Sequence, residues 1–305
     1  MTAPLSLTVS ALQSGGKAAI AQALTAIEER AEDADVVALL DAAWLAPRAH
    51  VIGLTGPPGV GKSTLIDALI RQYREMGETV AVVAVDPSSR KTGGALLGDR
   101  TRFQNNPDDD GVFVRSLAAR GQLGGLAALA FPSVVLLSAL YDRVLVETVG
   151  VGQSEADVSG VAQTVVLCVQ PGSGDSLQFM KAGIMEIPDV AVVTKADVGP
   201  SARQALADLK GALSLTGSDA EQLAVSSQTG EGLAELVAAC DAHRRTVHVE
   251  RRADQASDWL RGVIASRFGA EGCAALGDAM RLADGKGPFG QAQHLMREIE
   301  VMRRS

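Results

Sequence analysis

The chain has 305 residues, of which 47% are hydrophobic, 21% charged and only 3% aromatic. It can therefore form one large α/β domain with appendages or two small domains, and its core must rest on Val, Leu, Ile and Ala. A net charge of −8 argues against a nucleic-acid partner held through its phosphates. The absence of a secretory signal pattern and of any membrane-length apolar run predicts a cytoplasmic protein that does not bind membranes.

The elements predicted in chain order alternate between short apolar runs and amphipathic segments. The first 48 residues are predicted to be helical, near 17–31 and 35–44, and Pro47 ends the second helix. Seven strands follow, at 51–55, 79–85, 112–116, 142–147, 164–169, 189–194 and 222–226. Helices are predicted near 62–76, 123–139, 176–184, 201–214 and 231–246. Apolar strands that do not alternate, separated by helices, indicate a doubly wound, mainly parallel sheet covered on both faces.

The run GPPGVGKST directly after the first strand fits a phosphate-binding loop of the P-loop NTPases. Its glycines let backbone N–H groups surround phosphate oxygens, and the following helix adds its positive end. We expect Lys62 to reach the β- and γ-phosphates and Ser63 to bind Mg²⁺. The predicted nucleotide-binding residues here are Gly56, Pro57, Pro58, Gly59, Val60, Gly61, Lys62, Ser63 and Thr64.

Three carboxylates are candidates for the neighbourhood of the phosphates. Asp86 and Glu147 each end an apolar strand, and with Ser63 they form the predicted Mg²⁺ site. The run Glu147-Thr148-Val149-Gly150 has the layout of the GTPase element D-x-x-G, so Gly150 is predicted to offer its N–H to the γ-phosphate. Asp99 is predicted to lie in a loop. Three roles are open for it: a group that supports the metal ligands, a mobile switch residue, or a cap for the segment that follows. The predicted catalytic set is Lys62, Asp86, Asp99, Glu147 and Gly150.

The run TKAD at 194–197 stands where a GTPase carries N-K-x-D. Asp197 can accept from N1–H and N2–H₂ of guanine, and the stem of Lys195 can lie along the ring. Thr194 replaces the usual Asn, and a hydroxyl cannot duplicate the donor and acceptor of a carboxamide. A second base-side element is predicted at Ser226, Ser227 and Gln228, with a purely structural loop as the alternative.

Taken together, GPPGVGKST, VDPSSRKTGGALLGDRTR, ETVGVGQSE, QPGSGDSLQFMKAGIMEIPD and TKAD resemble the MeaB/ArgK family of GTPases. These are associated with adenosylcobalamin-dependent acyl-CoA mutases, and their human relative is the methylmalonic aciduria type A protein. The resemblance covers nearly the whole chain. The pattern of predicted elements divides the chain into an N-terminal helical extension (1–48), a P-loop GTPase domain (49–247) and a C-terminal helical segment (248–305), and the resemblance implies that the last segment serves dimerisation.

The resemblance implies a homodimeric chaperone that binds GTP or GDP with Mg²⁺ and hydrolyses GTP. Its expected partner is methylmalonyl-CoA mutase or a close relative, which it assists in loading and protecting the cobalamin cofactor. The segment from Pro171 to Lys181 is then a mobile switch that communicates with the mutase. Val151, rather than a water-positioning Gln, follows Gly150, so we expect slow hydrolysis that rises when a partner orders the switches.

Three other classes are weighed against this interpretation. A P-loop kinase or ATPase would pass the phosphoryl group to a small-molecule or protein acceptor, and this is the main alternative. A nickel-enzyme GTPase chaperone would need Cys and His sets, whereas the three cysteines and four histidines stand at no usable metal-binding spacing. A signal-recognition-particle-like GTPase would carry a Met-rich RNA-binding domain and a more basic composition.

Overall fold

A computed structural model describes residues 7–87, 108–119, 125–148, 158–172, 186–246, 249–283 and 285–303. The chain divides into two compact units. The first comprises Met1–Ala49, Gly121–Asp142 and His248–Ser305, and the second comprises His50–Arg120 and Arg143–Val247. The segment 121–142 thus belongs with the two terminal segments, although it stands between two strands in the sequence. The three-part division into extension, GTPase domain and dimerisation segment stays a prediction.

The second unit is built on a seven-stranded sheet whose described strands all run parallel to their neighbours. The strands are β1 (His50–Thr55), β2 (Val80–Pro87), β3 (Val112–Ala119), β4 (Arg143–Glu147), β5 (Thr164–Val169), β6 (Val190–Val193) and β7 (Glu221–Ala224). Their order is β3-β2-β4-β1-β5-β6-β7. All seven predicted strands are present, so the prediction of a mainly parallel sheet is confirmed.

Within the described ranges the helices are α1 (Val9–Glu29), α2 (Ala34–Leu45), α3 (Lys62–Glu75), α4 (Gly125–Leu140), α5 (Pro200–Thr216), α6 (Leu233–Thr246), α7 (Val249–Leu276) and α8 (Pro288–Met302). The first begins eight residues earlier than predicted, and it kinks at Gly16, whose φ of 63° is not helical. The helix predicted near 176–184 lies outside the described residues. No helix in the described part of the chain has the length and apolar character needed to cross a membrane.

Side chains that alternate along β5 and β6 pack on opposite faces of the sheet. Val166 and Cys168 of β5 join the core that α3 and α6 complete. Leu167 and Val169 join the core that α5 completes on the other face. Strands that bury both faces have no need of polar alternation, which explains why they read as continuous apolar runs. The predicted doubly wound arrangement is therefore confirmed.

The helices of the first unit meet around four aromatic rings, on α2, α4, α7 and α8. The ring of Phe131 lies 5.9 Å from that of Trp44 and 5.4 Å from that of Trp259, measured between centroids. Phe289 completes the cluster at 4.8 Å from Trp259. Asp41 of α2 accepts the N–H groups of Phe289 and Gly290 at 3.0 Å each, so it caps the first turn of α8 from another helix.

The amino ends of the strands, on the edge opposite the predicted nucleotide site, carry a buried polar network. Arg143 opens β4 with a side chain only 3% exposed, and it pairs with Glu78 and Asp241 at 2.5 Å each. Its guanidinium also lies 4.6 Å from the ring centre of Tyr73. A buried cation at this position is stable only because two carboxylates and an aromatic face surround it.

The hydrogen-bond directions in this network fix the proton on His50. Arg143 can only donate, so His50 Nδ1, at 3.3 Å from Nη1, is the acceptor. The ring proton then sits on Nε2 and is donated to Thr164 Oγ1 at 2.7 Å. This leaves the Thr164 hydroxyl proton for His243 Nδ1 at 2.8 Å. Across the ring, His243 Nε2 lies 3.2 Å from Asp189 Oδ1.

We predict that His50 makes the protein less stable as the pH falls. Burial, aided by the charge of Arg143, lowers the pKa of His50 from 6.5 to about 3. Between these values the unfolded chain binds a proton that the folded chain excludes, so the free energy of unfolding falls as the pH falls from 6.5. For one proton the slope is about 1.4 kcal/mol per pH unit.

The measurement is urea unfolding at a series of pH values through this window, with wild type compared with His50→Gln. Glutamine can accept from Arg143 and donate to Thr164 but does not titrate, so its stability should depend less steeply on pH. The matched control is His294→Gln, at an exposed position of α8, which should keep the wild-type slope. Equal slopes for His50→Gln and wild type would contradict the prediction.

Candidate functional site

A tight loop of residues 56–61, which we call the glycine-rich loop, joins β1 at the middle of the sheet to α3. Gly56, Gly59 and Gly61 have φ values of 134°, 75° and 102°. Residues that carry a side chain rarely adopt this backbone conformation. A Cβ on Gly56 would also collide with the carbonyl oxygen of Cys168, at the end of β5. The loop can therefore pass close to the neighbouring strand only because this position has no side chain.

Lys62 is the first residue of α3, and its side chain folds back over the loop. Its ammonium group donates to the carbonyls of Gly56 at 2.7 Å and Pro57 at 2.9 Å. The side chain is buried, with 6% of its surface exposed. The charge of Lys62 and the N-terminus of α3 together give this site a positive potential, which suits an anion.

Two of the three predicted Mg²⁺ ligands, Ser63 and Glu147, lie next to each other although they are 84 residues apart in the sequence. Glu147 ends β4 beside β1 and is only 2% exposed. Its carboxylate accepts the hydroxyl of Ser63 at 2.7 Å. The register of β2 and β4 pairs Ala84 with Glu147, so the backbone of Asp86 lies two residues further along the adjacent strand. The structure describes only the backbone of Asp86, and Asp99 and Gly150 lie outside the described residues.

A carboxylate and a hydroxyl supply the oxygen ligands that Mg²⁺ prefers, and this ion usually keeps several waters. Ser63 and Glu147 thus fit a small hard cation whose remaining ligands come from a bound anion and from water. The described part of the chain holds no group of three or more His, Cys, Asp or Glu side chains placed for a metal, at this site or at another.

The TKAD run follows β6 at the same edge of the sheet. Asp197 accepts the hydroxyl of Ser226 at 2.6 Å, which orients one carboxylate oxygen. The backbone N–H of Ala196, in the TKAD run, donates to the carbonyl of Val225 at 3.1 Å. Of the neighbouring predicted residues, Ser227 is half-buried and Gln228 is exposed. The predicted base-side elements at 194–197 and 226 therefore lie side by side.

Thr194 and Lys195 of the TKAD run contact carbonyl groups of the glycine-rich loop. The Thr194 hydroxyl lies 2.7 Å from the carbonyl oxygen of Val60. Lys195 Nζ donates to Gln170 Oε1 at 2.7 Å and approaches the carbonyl of Gly59 at 3.4 Å. Gln170 was not predicted, although it directly follows β5 and the carboxyl ends of parallel strands share one edge.

A family model described as "Methylmalonyl Co-A mutase-associated GTPase MeaB" matches residues 20–284. A Pyrococcus horikoshii protein named a putative GTPase is 48% identical over 195 residues, covering 64% of this chain and 61% of its own. A protein of Mycobacterium tuberculosis, named a probable GTPase, is 40% identical over 266 residues, covering 82% of this chain and 79% of its own.

A solved structure described as an LAO/AO transport system kinase matches with a TM-score of 0.67 and 25% identity, covering 98% of this chain and 99% of its own. The chain spans only 58% to 61% of the length of the two Pyrococcus relatives.

We predict that Gly56→Ala destabilises the protein by more than the strain of placing alanine at a positive φ would account for. The added methyl group must displace the Cys168 carbonyl of a central strand, so we expect a loss of about 3 kcal/mol or more in the free energy of unfolding. Gly217→Ala is the matched control, because Gly217 has a φ of 69° but nothing within 4 Å of the added Cβ. It should lose only about 1–2 kcal/mol. Urea unfolding measures both, and equal losses would contradict the collision argument.

Proposed function

Because this chain belongs to the family of methylmalonyl-CoA mutase-associated GTPases MeaB, we propose that it binds GTP and GDP with Mg²⁺ and hydrolyses GTP. We further propose that it acts as a chaperone for an adenosylcobalamin-dependent acyl-CoA mutase. The observation that carries the proposal is the meeting of three elements at one edge of the sheet. These are the glycine-rich loop with Lys62, the Ser63–Glu147 pair, and Asp197 held by Ser226.

The phosphate end of the nucleotide is assigned to the glycine-rich loop and the start of α3. Lys62 supplies a positive charge that is already fixed near the loop, and the N–H groups of the loop and the first turn supply the donors. Ser63 and Glu147 would hold Mg²⁺, whose charge would offset that of the β- and γ-phosphates. Asp86, one strand away, is proposed as a further group near the metal.

The base end is assigned to Asp197 with the stem of Lys195. A carboxylate fixed by the Ser226 hydroxyl can accept two N–H groups from guanine, whereas adenine would face the same carboxylate with its N1 acceptor. Two acceptors that face each other repel, and the carboxylate would also lose the two N–H donors that guanine offers. This difference supports guanine over adenine.

The turnover of GTP is assigned to residues outside the described ranges, together with the partner. Gly150 is proposed to contact the γ-phosphate, and Asp99 to act near it. Because Val151 follows Gly150 in place of a Gln, we propose slow hydrolysis by the chain alone. Dimerisation through residues 248–305, a switch between Pro171 and Lys181, and a cytoplasmic location complete the proposal.

We predict that guanine selectivity depends on Asp197. Calorimetric titration with Mg²⁺ should show tight GDP binding and weak ADP binding by wild type. Asp197→Asn replaces an acceptor by a donor toward N1–H, so GDP affinity should fall by about 100-fold or more. Asp219→Asn, at an exposed position before β7, is the charge-matched control and should bind GDP as wild type does. ADP binding as tight as GDP binding would overturn the assignment of the base.

A P-loop kinase is the alternative, since the solved structure with the TM-score of 0.67 is described as a transport system kinase. The two activities differ in where the γ-phosphate goes. Incubation with γ-labelled GTP should release label as inorganic phosphate. Label carried by a protein or small-molecule acceptor would favour the kinase.

We predict that a partner mutase raises the rate of GTP hydrolysis by about tenfold or more, because contact with the partner orders the switch segments. The measurement is phosphate release by this chain with and without methylmalonyl-CoA mutase loaded with adenosylcobalamin. Lys62→Ala with the same mutase is the control for contaminating GTPases and should release almost none. A rate that is equal with and without mutase would contradict the chaperone role while leaving nucleotide binding intact.

A further inference from the structure

Gly53 lies in the middle of β1, a strand that is otherwise made of residues with side chains. It is paired on both sides, with Val146 of β4 and with Val165 of β5, and its φ is not positive. A glycine inside a strand weakens the strand, and it often marks a place where another part of the chain approaches closely. The reason for a glycine at this position therefore lies in its neighbours and not in its own backbone angles.

The neighbour of Gly53 is the connection from β4 to β5. These two strands flank β1 and run parallel to it, so residues 148–163 have to pass over β1 to join them. A Cβ on Gly53 would collide with Cγ2 of Val158, and it would lie 2.8 Å from Cβ of Ala162. Both of these side chains are fully buried, with 0% of each residue exposed. The connection thus crosses β1 at Gly53, so closely that no side chain fits between them.

The residues on either side of 149–157 both contact β1, although 149–157 themselves lie outside the described ranges. Before this segment, the N–H of Thr148 donates to the carbonyl of Leu54 at 3.3 Å. After it, Val158 lies against Gly53, the residue that precedes Leu54 in the strand. Two consecutive residues of β1 therefore set where the segment leaves the strand and where it returns.

This segment includes the residue that is assigned above to the γ-phosphate. Gly150, two residues after Thr148, is proposed to donate its N–H to the γ-phosphate, a group that GTP has and GDP lacks. The phosphates that the two nucleotides share are assigned instead to the glycine-rich loop and to Lys62. A shift of the point of return at Val158 is therefore expected to change the contacts with GTP and to leave those with GDP largely as they are.

We propose that Gly53 is a positioning residue for the γ-phosphate contact. Because it has no side chain, Val158 packs directly on β1 and fixes one end of the segment that contains Gly150, so a side chain at position 53 weakens the binding of GTP more than that of GDP. The inference rests on the proposed binding of guanine nucleotides and deepens it. A purely structural role for Gly53 would instead lower the stability of the protein and affect the two nucleotides alike.

The first test measures the affinities of wild type and Gly53→Ala for GDP and for GppNHp, a GTP analogue that resists hydrolysis, by calorimetry with Mg²⁺. Losing one hydrogen bond to the γ-phosphate should weaken GppNHp binding by about tenfold, whereas GDP binding should stay within about threefold of wild type. Gly111→Ala is the matched control, because the added Cβ also collides with a side chain, that of Arg74, but at the amino edge of the sheet. It should leave the ratio of the two affinities unchanged. Equal losses for both nucleotides in Gly53→Ala would overturn the inference.

The second test moves side-chain volume from Val158 to position 53. Val158→Ala removes the atom that packs on Gly53, so GppNHp binding alone should weaken, by about fivefold. In Gly53→Ala/Val158→Ala the new methyl group takes part of the space that is freed, and GppNHp affinity should return to within about twofold of wild type. Wild-type affinities in Val158→Ala, or no recovery in the double variant, would overturn the inference even if Gly53→Ala alone does not fold. A wild-type protein that binds neither nucleotide would contradict the proposed function itself, which is a separate outcome.

Discussion

The parallel direction of the seven strands is the constraint on which the site depends. Carboxyl ends of parallel strands share one edge, so groups far apart in sequence must meet there. Ser63 and Glu147 are 84 residues apart and Thr194 and Val60 are 134 apart, yet each pair is joined by one hydrogen bond. No local motif could hold these pairs together, and a sheet with one antiparallel central strand would send one member to the opposite edge.

The two edges of the sheet each carry a buried cation, and the groups around the two cations differ. At the amino edge Arg143 is surrounded by Glu78 and Asp241, so its charge is compensated within the protein. At the carboxyl edge Lys62 donates to two carbonyls of its own loop, and it lies at the N-terminus of α3, the positive end of the helix dipole. The amino edge is therefore suited to stabilise the fold, and the carboxyl edge to attract an anion.

The sequence predicted the parts of this structure that follow from local chemistry. Continuous apolar runs predicted every strand, and the glycine pattern located the loop before α3. The predicted start of the first helix, at 17, lies after Gly15 and Gly16, whereas α1 begins at Val9 and continues on both sides of a kink at Gly16. The direction of the Thr194 hydroxyl could not be predicted, since it depends on a carbonyl 134 residues away. The same holds for the grouping of 121–142 with the terminal segments.

The contacts of Lys62 also bear on what sets nucleotide affinity. Its ammonium group already has two carbonyl partners, at Gly56 and Pro57, and in the proposed site a phosphate oxygen would replace or join them. The gain from binding is then the difference between a charge-assisted bond to phosphate and bonds to neutral carbonyls, which is smaller than the whole strength of either. Donors that need no rearrangement, such as the backbone N–H groups at the start of α3, would contribute without that exchange.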